Sequence, residues 1–96
     1  MRKLTISRRK SMYNAPYKFY LVMDGNTVGF MKNGETITVE MDENEHKIHI
    51  CQKFLGKELT FDDTLIPAGT ADCICHTEFV QRGVTTTPLI FLDSTH

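Results

Sequence analysis

The sequence predicts an all-β protein, a small antiparallel β-sandwich of about seven or eight short strands. Apolar and polar residues alternate in several short segments, which is the pattern of a strand with one buried face. Turn signals separate these segments, and the clearest are Asp24-Gly25 and Asn33-Gly34. No window of about eleven residues shows the 3.6-residue period of an amphipathic helix.

Four of the strands are expected between residues 17 and 51, joined by three turns into a β-meander. The alternation is clearest over residues 36–41, where Ile37, Val39 and Met41 share one face. The four segments are residues 17–23, 28–31, 36–41 and 46–51.

Further strands are expected on both sides of this region, over residues 2–8, 58–62, 71–81 and 89–92. Residues 65–69 are expected to form a turn with an apolar plug, and residues 85–88 a loop before the last strand. The 71–81 segment has two mixed faces, and the more core-like one carries Cys73, Cys75, Thr77 and Phe79.

Length and composition indicate a single folded domain over residues 1–96. Hydrophobic residues at 41% and charged residues at 24% are ordinary for a globular chain. The first residues lack the apolar run of a signal peptide, and no stretch resembles a membrane span, so we expect a cytoplasmic protein. Three cysteines agree with a reducing compartment, and no motif implies a cofactor.

Charge is distributed unevenly along the chain. Residues 1–23 contain six basic residues and no acid, whereas residues 24–96 contain five basic and twelve acidic residues. A basic segment can bind nucleic acid or an anionic surface, but clustered charge is more often a solvated face, which we favour here. The residues of this segment that would contact a ligand or partner are Arg8, Arg9, Lys10, Lys18 and Tyr20.

The cysteines and histidines are the one set with metal-ligand chemistry. His49 and Cys51 share one strand face, and Cys73 and Cys75 share another. Pairing of these two strands would bring together four ligands, the number that zinc prefers. However, Cys-x-Cys is not the usual spacing of structural zinc sites, and unpaired cysteine commonly serves as a small buried apolar residue. We therefore favour core cysteines over a zinc site.

No arrangement of residues predicts catalysis, and we expect a non-enzymatic protein. Cys75 and His76 are neighbours in an expected strand, so their side chains point apart and cannot form a nucleophile–base pair. Asp62 and Asp63 are explained by a turn, where Asp side chains bond to nearby backbone.

Strand and turn residues follow one another in a characteristic order through the first half of the chain. The order begins with Ile6-Ser7-Arg8 and the run from Tyr17 to Gly25, and it continues with Val28-Gly29, Asn33-Gly34-Glu35 and Glu45-His46-Lys47-Ile48. This order resembles the small bacterial β-sandwich modules of the PEGA type over about residues 2–51. The resemblance implies an accessory interaction module without family-wide catalytic residues, in which His46 closes a turn. The chain departs from the family at residues 42–45, where Pro and Gly usually precede the His.

These observations predict an immunoglobulin-like or PEGA-like sandwich that acts through contacts with a protein or a small ligand. Exposed edge strands make a homodimer through strand edges a further expectation. Two alternatives stay open: nucleic acid or an anionic surface bound by the basic N-terminal segment, and zinc bound by the Cys/His set. A steep salt dependence of binding would identify the first alternative, and the added mass of one metal ion the second.

Overall fold

The computed structural model describes residues 1–12, 17–54 and 56–93. This part of the chain is all-β, with nine strands and no helix, so the expected class is confirmed and the expected number of strands was slightly too low. The strands are β1 (Arg2–Arg8), β2 (Phe19–Met23), β3 (Asn26–Met31), β4 (Thr36–Met41), β5 (His46–Phe54), β6 (Lys57–Thr60), β7 (Thr64–Ile66), β8 (Cys73–Arg82) and β9 (Thr85–Asp93). A helix able to cross a membrane is likewise absent from the described residues.

The strands form two sheets. Sheet A has the order β4-β1-β8-β9, and sheet B has the order β3-β2-β5-β6 with β7 also paired to β5. Neighbours are antiparallel except β1 and β8, which run parallel. The expectation of a purely antiparallel fold is therefore wrong for this pair. β1 and β8 are far apart in sequence, and a parallel neighbour requires such a long crossover connection.

The two sheets share one hydrophobic core. Leu4 and Ile6 of β1 are fully buried, as are Leu21 of β2 and Ile48 of β5. The core-like face expected for β8 is confirmed, because Cys75 is also fully buried. The other core members are Phe19, Met23, Met31, Met41, Ile50, Ile66, Cys73 and Ile90. Since burying a large aliphatic or aromatic side chain contributes about 1.5–3 kcal/mol, this core holds the two sheets together.

Residues 17–51 form the four expected strands but not the expected meander. β2 and β3 make a hairpin through Asp24 and Gly25, whose φ angles of 49° and 85° are those of a type I′ turn. At Asn33-Gly34 only the glycine has a positive φ, at 82°, which is the property of a type II turn. That geometry does not match the twist of a tight hairpin. β4 accordingly crosses to sheet A beside β1, and β5 returns to pair with β2.

A bulge in β3 decides which of its side chains face outward. Val22 pairs with Thr27 after the turn, and regular pairing from there would place Phe30 opposite Phe19. The register instead shifts between these positions, and Phe30 pairs with Tyr20. Because a shift by one residue exchanges the two faces of a strand, Phe30 lies on the outside of sheet B instead of in the core.

One expectation for the second half of the chain is wrong in part and another is wrong. Residues 65–69 were expected to form a turn with a buried apolar residue. Leu65 and Ile66 instead belong to strand β7, but bends follow at residues 68–71 and Ile66 is buried. Residues 85–88 were expected to form a loop, but they begin β9 and include the buried Pro88. β9 is an edge strand, and an edge tolerates a residue that cannot donate a backbone hydrogen bond.

Candidate binding face

The outer side of sheet B carries two aromatic rings and two lysines, which we call the aromatic–lysine face: Lys18, Tyr20, Phe30 and Lys53. The ring centroids of Tyr20 and Phe30 are 6.0 Å apart, with 47° between the ring planes. Lys53 Nζ lies 4.9 Å from the Tyr20 centroid, and Lys18 Nζ lies 4.8 Å from the Phe30 centroid. Both distances allow cation–π attraction. Phe30 is 43% exposed, so the cluster is open to solvent.

A depression of about 260 Å³ adjoins Tyr20 on the same side of the sheet. Its lining includes Val22 of β2, His49 of β5 and Thr60 of β6. The His49 ring is held by Asp63, with 3.0 Å between Nδ1 and Oδ1. Sites that enclose a drug-sized ligand have volumes of about 300–1,000 Å³. This depression is smaller, so it suits one ring or one side chain.

The end of the molecule next to this face is basic. Lys18 and Lys32 each follow a residue whose carbonyl accepts a hydrogen bond from Arg8. Lys10 lies beside Gly34, where an added Cβ would be 3.7 Å from Lys10 Cβ. Across residues 1–12, 17–54 and 56–93, none of Lys10, Lys18 and Lys32 forms an ion pair with an acidic residue. Their charges therefore remain available to an anion.

Arg8 does not belong to this surface, which corrects the expectation that it contacts a ligand. It is only 2% exposed, and its Nη1 donates to the carbonyls of Tyr17 at 2.6 Å and Met31 at 2.9 Å. Its guanidinium lies over the Phe19 ring, 3.7 Å from the centroid. Burial lowers the pKa of Arg8, and the charge of Glu35 acts in the opposite direction. Arg8 thus joins the loops at one end of the core.

The other predicted contact residues lie in two places. Lys18 and Tyr20 meet on the aromatic–lysine face, and Lys10 lies at the adjoining basic end. Arg9 instead pairs with Glu78 on the outer side of sheet A, with 2.6 Å between Nη1 and Oε1. Strand alternation explains this, because Arg9 follows the inward-facing Arg8 and points the opposite way.

The predicted zinc ligands do not come together. β5, which carries His49 and Cys51, belongs to sheet B, whereas β8, which carries Cys73 and Cys75, belongs to sheet A. Cys51 pairs with Tyr20 on the outer side of sheet B, but Cys73 and Cys75 point into the core. In the described part of the chain, no group of three or more His, Cys, Asp and Glu side chains is arranged to hold a metal ion. Burial raises the pKa of Cys75 to about 12, so this thiol is protonated in the native protein.

Two further pairs, Cys75 with His76 and Asp62 with Asp63, also do not form a site, because the two side chains of each pair have different neighbours. Cys75 faces the core, whereas His76 stacks on Phe91 on the outer side of sheet A, with 5.7 Å between centroids. Asp62 pairs with Arg82 at 2.8 Å, and Asp63 lies against the His49 ring, so these two carboxylates have different partners.

His46 connects two turns at the end of the molecule opposite Arg8. Its Nδ1 contacts Asp24 of the β2–β3 turn, and its Nε2 lies 2.6 Å from Asp42 Oδ1 of the β4–β5 turn. Hydrogen bonding to Asp24, and then to Asp42, raises the pKa of His46. The His46 bond lowers the pKa of Asp24, and the Asn44 backbone N–H and then His46 lower that of Asp42. This placement fits the turn-closing role that the resemblance implied.

Phe30 and Lys53 were missed by the sequence analysis. Phe30 lies on the outer face only because of the bulge, and the preceding Gly29 was the available signal, since an isolated glycine in a strand commonly marks a bulge. Lys53 joins the face because β5 extends to Phe54, three residues beyond the predicted end at residue 51. Comparison with protein-family models, with curated proteins and with solved structures gave no match.

Proposed function

We propose that this protein is a non-enzymatic interaction module that binds its partner on the aromatic–lysine face. The proposal rests on one observation: two aromatic rings, two lysines and a depression lie next to one another on the solvent-exposed side of sheet B. Aromatic side chains supply large contact areas at low entropic cost, and they are enriched where proteins bind partners. Lysines beside them add attraction for a negatively charged group.

The outer side of sheet A is less suited to binding, because its polar groups pair with one another. Thr5 and Thr38 share a hydrogen bond of 3.2 Å between their hydroxyls, and Thr36 donates to Ser7 at 3.1 Å. The His76 ring has carboxylates at both nitrogens. A ligand would have to replace these contacts, which offsets what it gains.

The two packed sheets support the finer expectation of a β-sandwich module, and the turn order supports a PEGA-like one. Under this proposal the chain has no catalytic residues and works as one domain, in the cytoplasm, without a cofactor. Its contacts with a partner would use Lys18 and Tyr20, as expected from the sequence, together with Phe30 and Lys53.

We propose self-association through a strand edge as a second binding mode. The bulge interrupts β3, β6 has only four residues, and Thr64 of β7 donates to the Ile90 carbonyl of β9 at 2.7 Å. β4 is then the edge best suited to pair with a second copy. A native mass spectrum over a range of concentrations tests this, and a monomer throughout would exclude it.

Amide chemical-shift mapping tests the proposed binding face. The ¹⁵N-labelled protein is titrated separately with oligo(dT), an oligoglutamate peptide and an uncharged oligosaccharide. We expect at least one of these probes to shift amides of β2, β3 and β5 in a saturable manner. The Phe30→Ala variant should lose this response.

The matched control is Phe91→Ala, because Phe91 is a similarly exposed ring (36% against 43%) on the opposite sheet. It should bind like the natural protein. Saturable shifts confined to sheet A, or no shifts with any of the three probes, would overturn the proposal.

A further inference from the structure

We infer that the ligand of the aromatic–lysine face is single-stranded nucleic acid, an inference that rests on the proposed function. Bases would stack on Tyr20 and Phe30, and the lysines around them would hold phosphates. Three features of the described residues carry this assignment: the rings on an open sheet, the position of the lysines, and the depression beside Tyr20.

The rings form a platform of the kind that single-stranded nucleic acid requires. Tyr20 and Phe30 project from neighbouring strands on one side of a sheet, with centroids 6.0 Å apart. Base stacking on aromatic residues of an open β-sheet is a common mode of recognition, because every base has a flat face. A duplex keeps its bases stacked on each other and cannot offer those faces, so a single strand fits this surface better.

The lysines lie where the phosphates of a stacked strand would pass. Lys53 and Lys18 each place an ammonium over one of the two rings. Their long, flexible side chains can move from ring to phosphate when a base takes the ring face. Lys32 and Lys10 extend the positive charge around the adjoining end, and neither forms an ion pair within the described residues, although Glu35 Oε1 accepts a hydrogen bond from the Lys32 backbone N–H at 2.7 Å.

The depression beside Tyr20 has room for one ring system. Its lining combines the apolar Val22 with the hydroxyl groups of Thr27 and Thr60 and with the His49 ring. A flipped-out base needs this combination, since its face is apolar and its edge carries hydrogen-bonding groups. A purely acidic peptide such as oligoglutamate would use the lysines but would leave the rings and the depression without a matching partner.

Among the acidic residues near the face, Glu58 is the one placed to oppose a strand stacked on Tyr20, whereas Glu35 lies at the adjoining end. Glu58 Oε1 lies 3.6 Å from Lys53 Nζ, next to the Tyr20 ring. Its carboxylate competes with a phosphate for the lysine and repels the strand. Replacing it by Gln should therefore increase affinity, whereas the same change at Glu40, on the opposite sheet, should not.

Fluorescence anisotropy with labelled oligo(dT) of about ten nucleotides tests the inference. We expect saturable binding that weakens as salt is raised. Phe30→Ala and Tyr20→Ala should each raise Kd by about 5- to 150-fold, the effect of losing one stacked base. Lys18→Ala should reduce the salt slope by about 0.7. Phe91→Ala should leave Kd unchanged, and thermal unfolding confirms that each variant is folded.

The titrations with different probes distinguish a failure of the nucleic-acid assignment from a failure of the proposed binding face. Binding of oligoglutamate on the same face without binding of oligo(dT) would overturn the nucleic-acid assignment and leave the binding face in place. Oligo(dT) binding that Phe30→Ala and Tyr20→Ala leave unchanged would overturn the stacking model. No binding of any probe would overturn both proposals.

Discussion

β1 carries a buried arginine at each end, and the two ends of the molecule differ in what surrounds it. Both Arg2 and Arg8 are 2% exposed, and both donate hydrogen bonds to backbone carbonyls of neighbouring loops. Around Arg2 lie acidic turns that are joined by the titratable His46. Around Arg8 lie the Phe19 ring, the Glu35 carboxylate, and Lys18 and Lys32, which form no ion pair within the described residues.

Arg2 and Arg8 make the same kind of hydrogen bonds to backbone carbonyls, but the surplus charges around the two guanidinium groups have opposite signs. A guanidinium has five N–H donors in a fixed plane, so it can join several carbonyls that would otherwise be buried without partners. At the Arg2 end, the surplus of carboxylates makes stability depend on pH. At the Arg8 end, the surplus of lysines adjoins the aromatic–lysine face, and we place binding there.

The largest effect is expected from Arg8→Met, which keeps most of the apolar side chain but removes the hydrogen bonds to the Tyr17 and Met31 carbonyls and the contact with the Phe19 ring. Leaving the Tyr17 and Met31 carbonyls without this donor should lower the free energy of unfolding by about 2–5 kcal/mol. Urea denaturation measures the change. The control is Arg9→Met, whose exposed ion pair should contribute only about 0–1 kcal/mol. Similar losses at both positions would contradict the role given to Arg8.

A smaller loss is expected from Arg2→Met. Arg2 donates to the carbonyls of Asp42 at 2.9 Å and Asn44 at 2.7 Å, which lie in a partly exposed turn that water can reach after the change. We expect a decrease of about 1–3 kcal/mol in the free energy of unfolding. Lys3→Met, at the exposed neighbouring position, is the control. A larger decrease in the free energy of unfolding for Arg2→Met than for Arg8→Met would contradict the assignment of the more buried carbonyls to the Arg8 end.

The pH dependence of stability should come from the Arg2 end. Because the folded pKa of His46 is raised above 6.5, its contribution is full below that value and is lost as pH rises through the folded pKa. The pKa values of Asp24 and Asp42 are lowered from 3.8, so their contributions are full above 3.8 and are lost as pH falls through the folded values. Stability should therefore be greatest between these limits.

Replacing His46 by Gln tests this assignment. Thermal unfolding of the natural protein should show decreasing stability as pH rises above 6.5, and the variant should lose most of that decrease. Asp24→Asn should also make this loss of stability with rising pH smaller, because the hydrogen bond to Asp24 is the largest cause of the raised pKa of His46. If the stability of both variants falls with rising pH as steeply as that of the natural protein, a group other than His46 causes the decrease.

The smallest effect on stability is expected at the binding face itself. Phe30 and Phe91 are both partly exposed, so Phe30→Ala and Phe91→Ala should each lower the free energy of unfolding by about 1 kcal/mol or less. The two variants should then differ in binding and not in folding. A loss several-fold larger at Phe30 would show that its ring supports the fold.

Local features of the sequence predicted much of the fold. Alternation located most of the strands, and the core-like face of β8 followed from its residue types. The sheet in which a strand lies is a long-range property, and alternation says nothing about it. β4 was therefore placed beside β3 although it pairs with β1, and β5 was allowed to pair with β8 although the two lie in different sheets.

The candidate site was predicted only in part, for two physical reasons. Arginine is rarely buried, so residue type placed Arg8 at the surface. The carbonyls of Tyr17 and Met31 and the Phe19 ring, which make its burial favourable, come from parts of the chain that local pattern does not connect to it. The second reason is the register. One extra residue in β3 exchanges the faces of the strand beyond it, and this moved Phe30 beside Tyr20.

The most direct test of the binding face is the anisotropy titration of oligo(dT) with the natural protein, Phe30→Ala and Phe91→Ala side by side. We expect the Kd to rise about 5- to 150-fold for Phe30→Ala and to stay unchanged for Phe91→Ala. Binding that both variants retain, or that both lose equally, would contradict the assignment of the ligand to the outer side of sheet B.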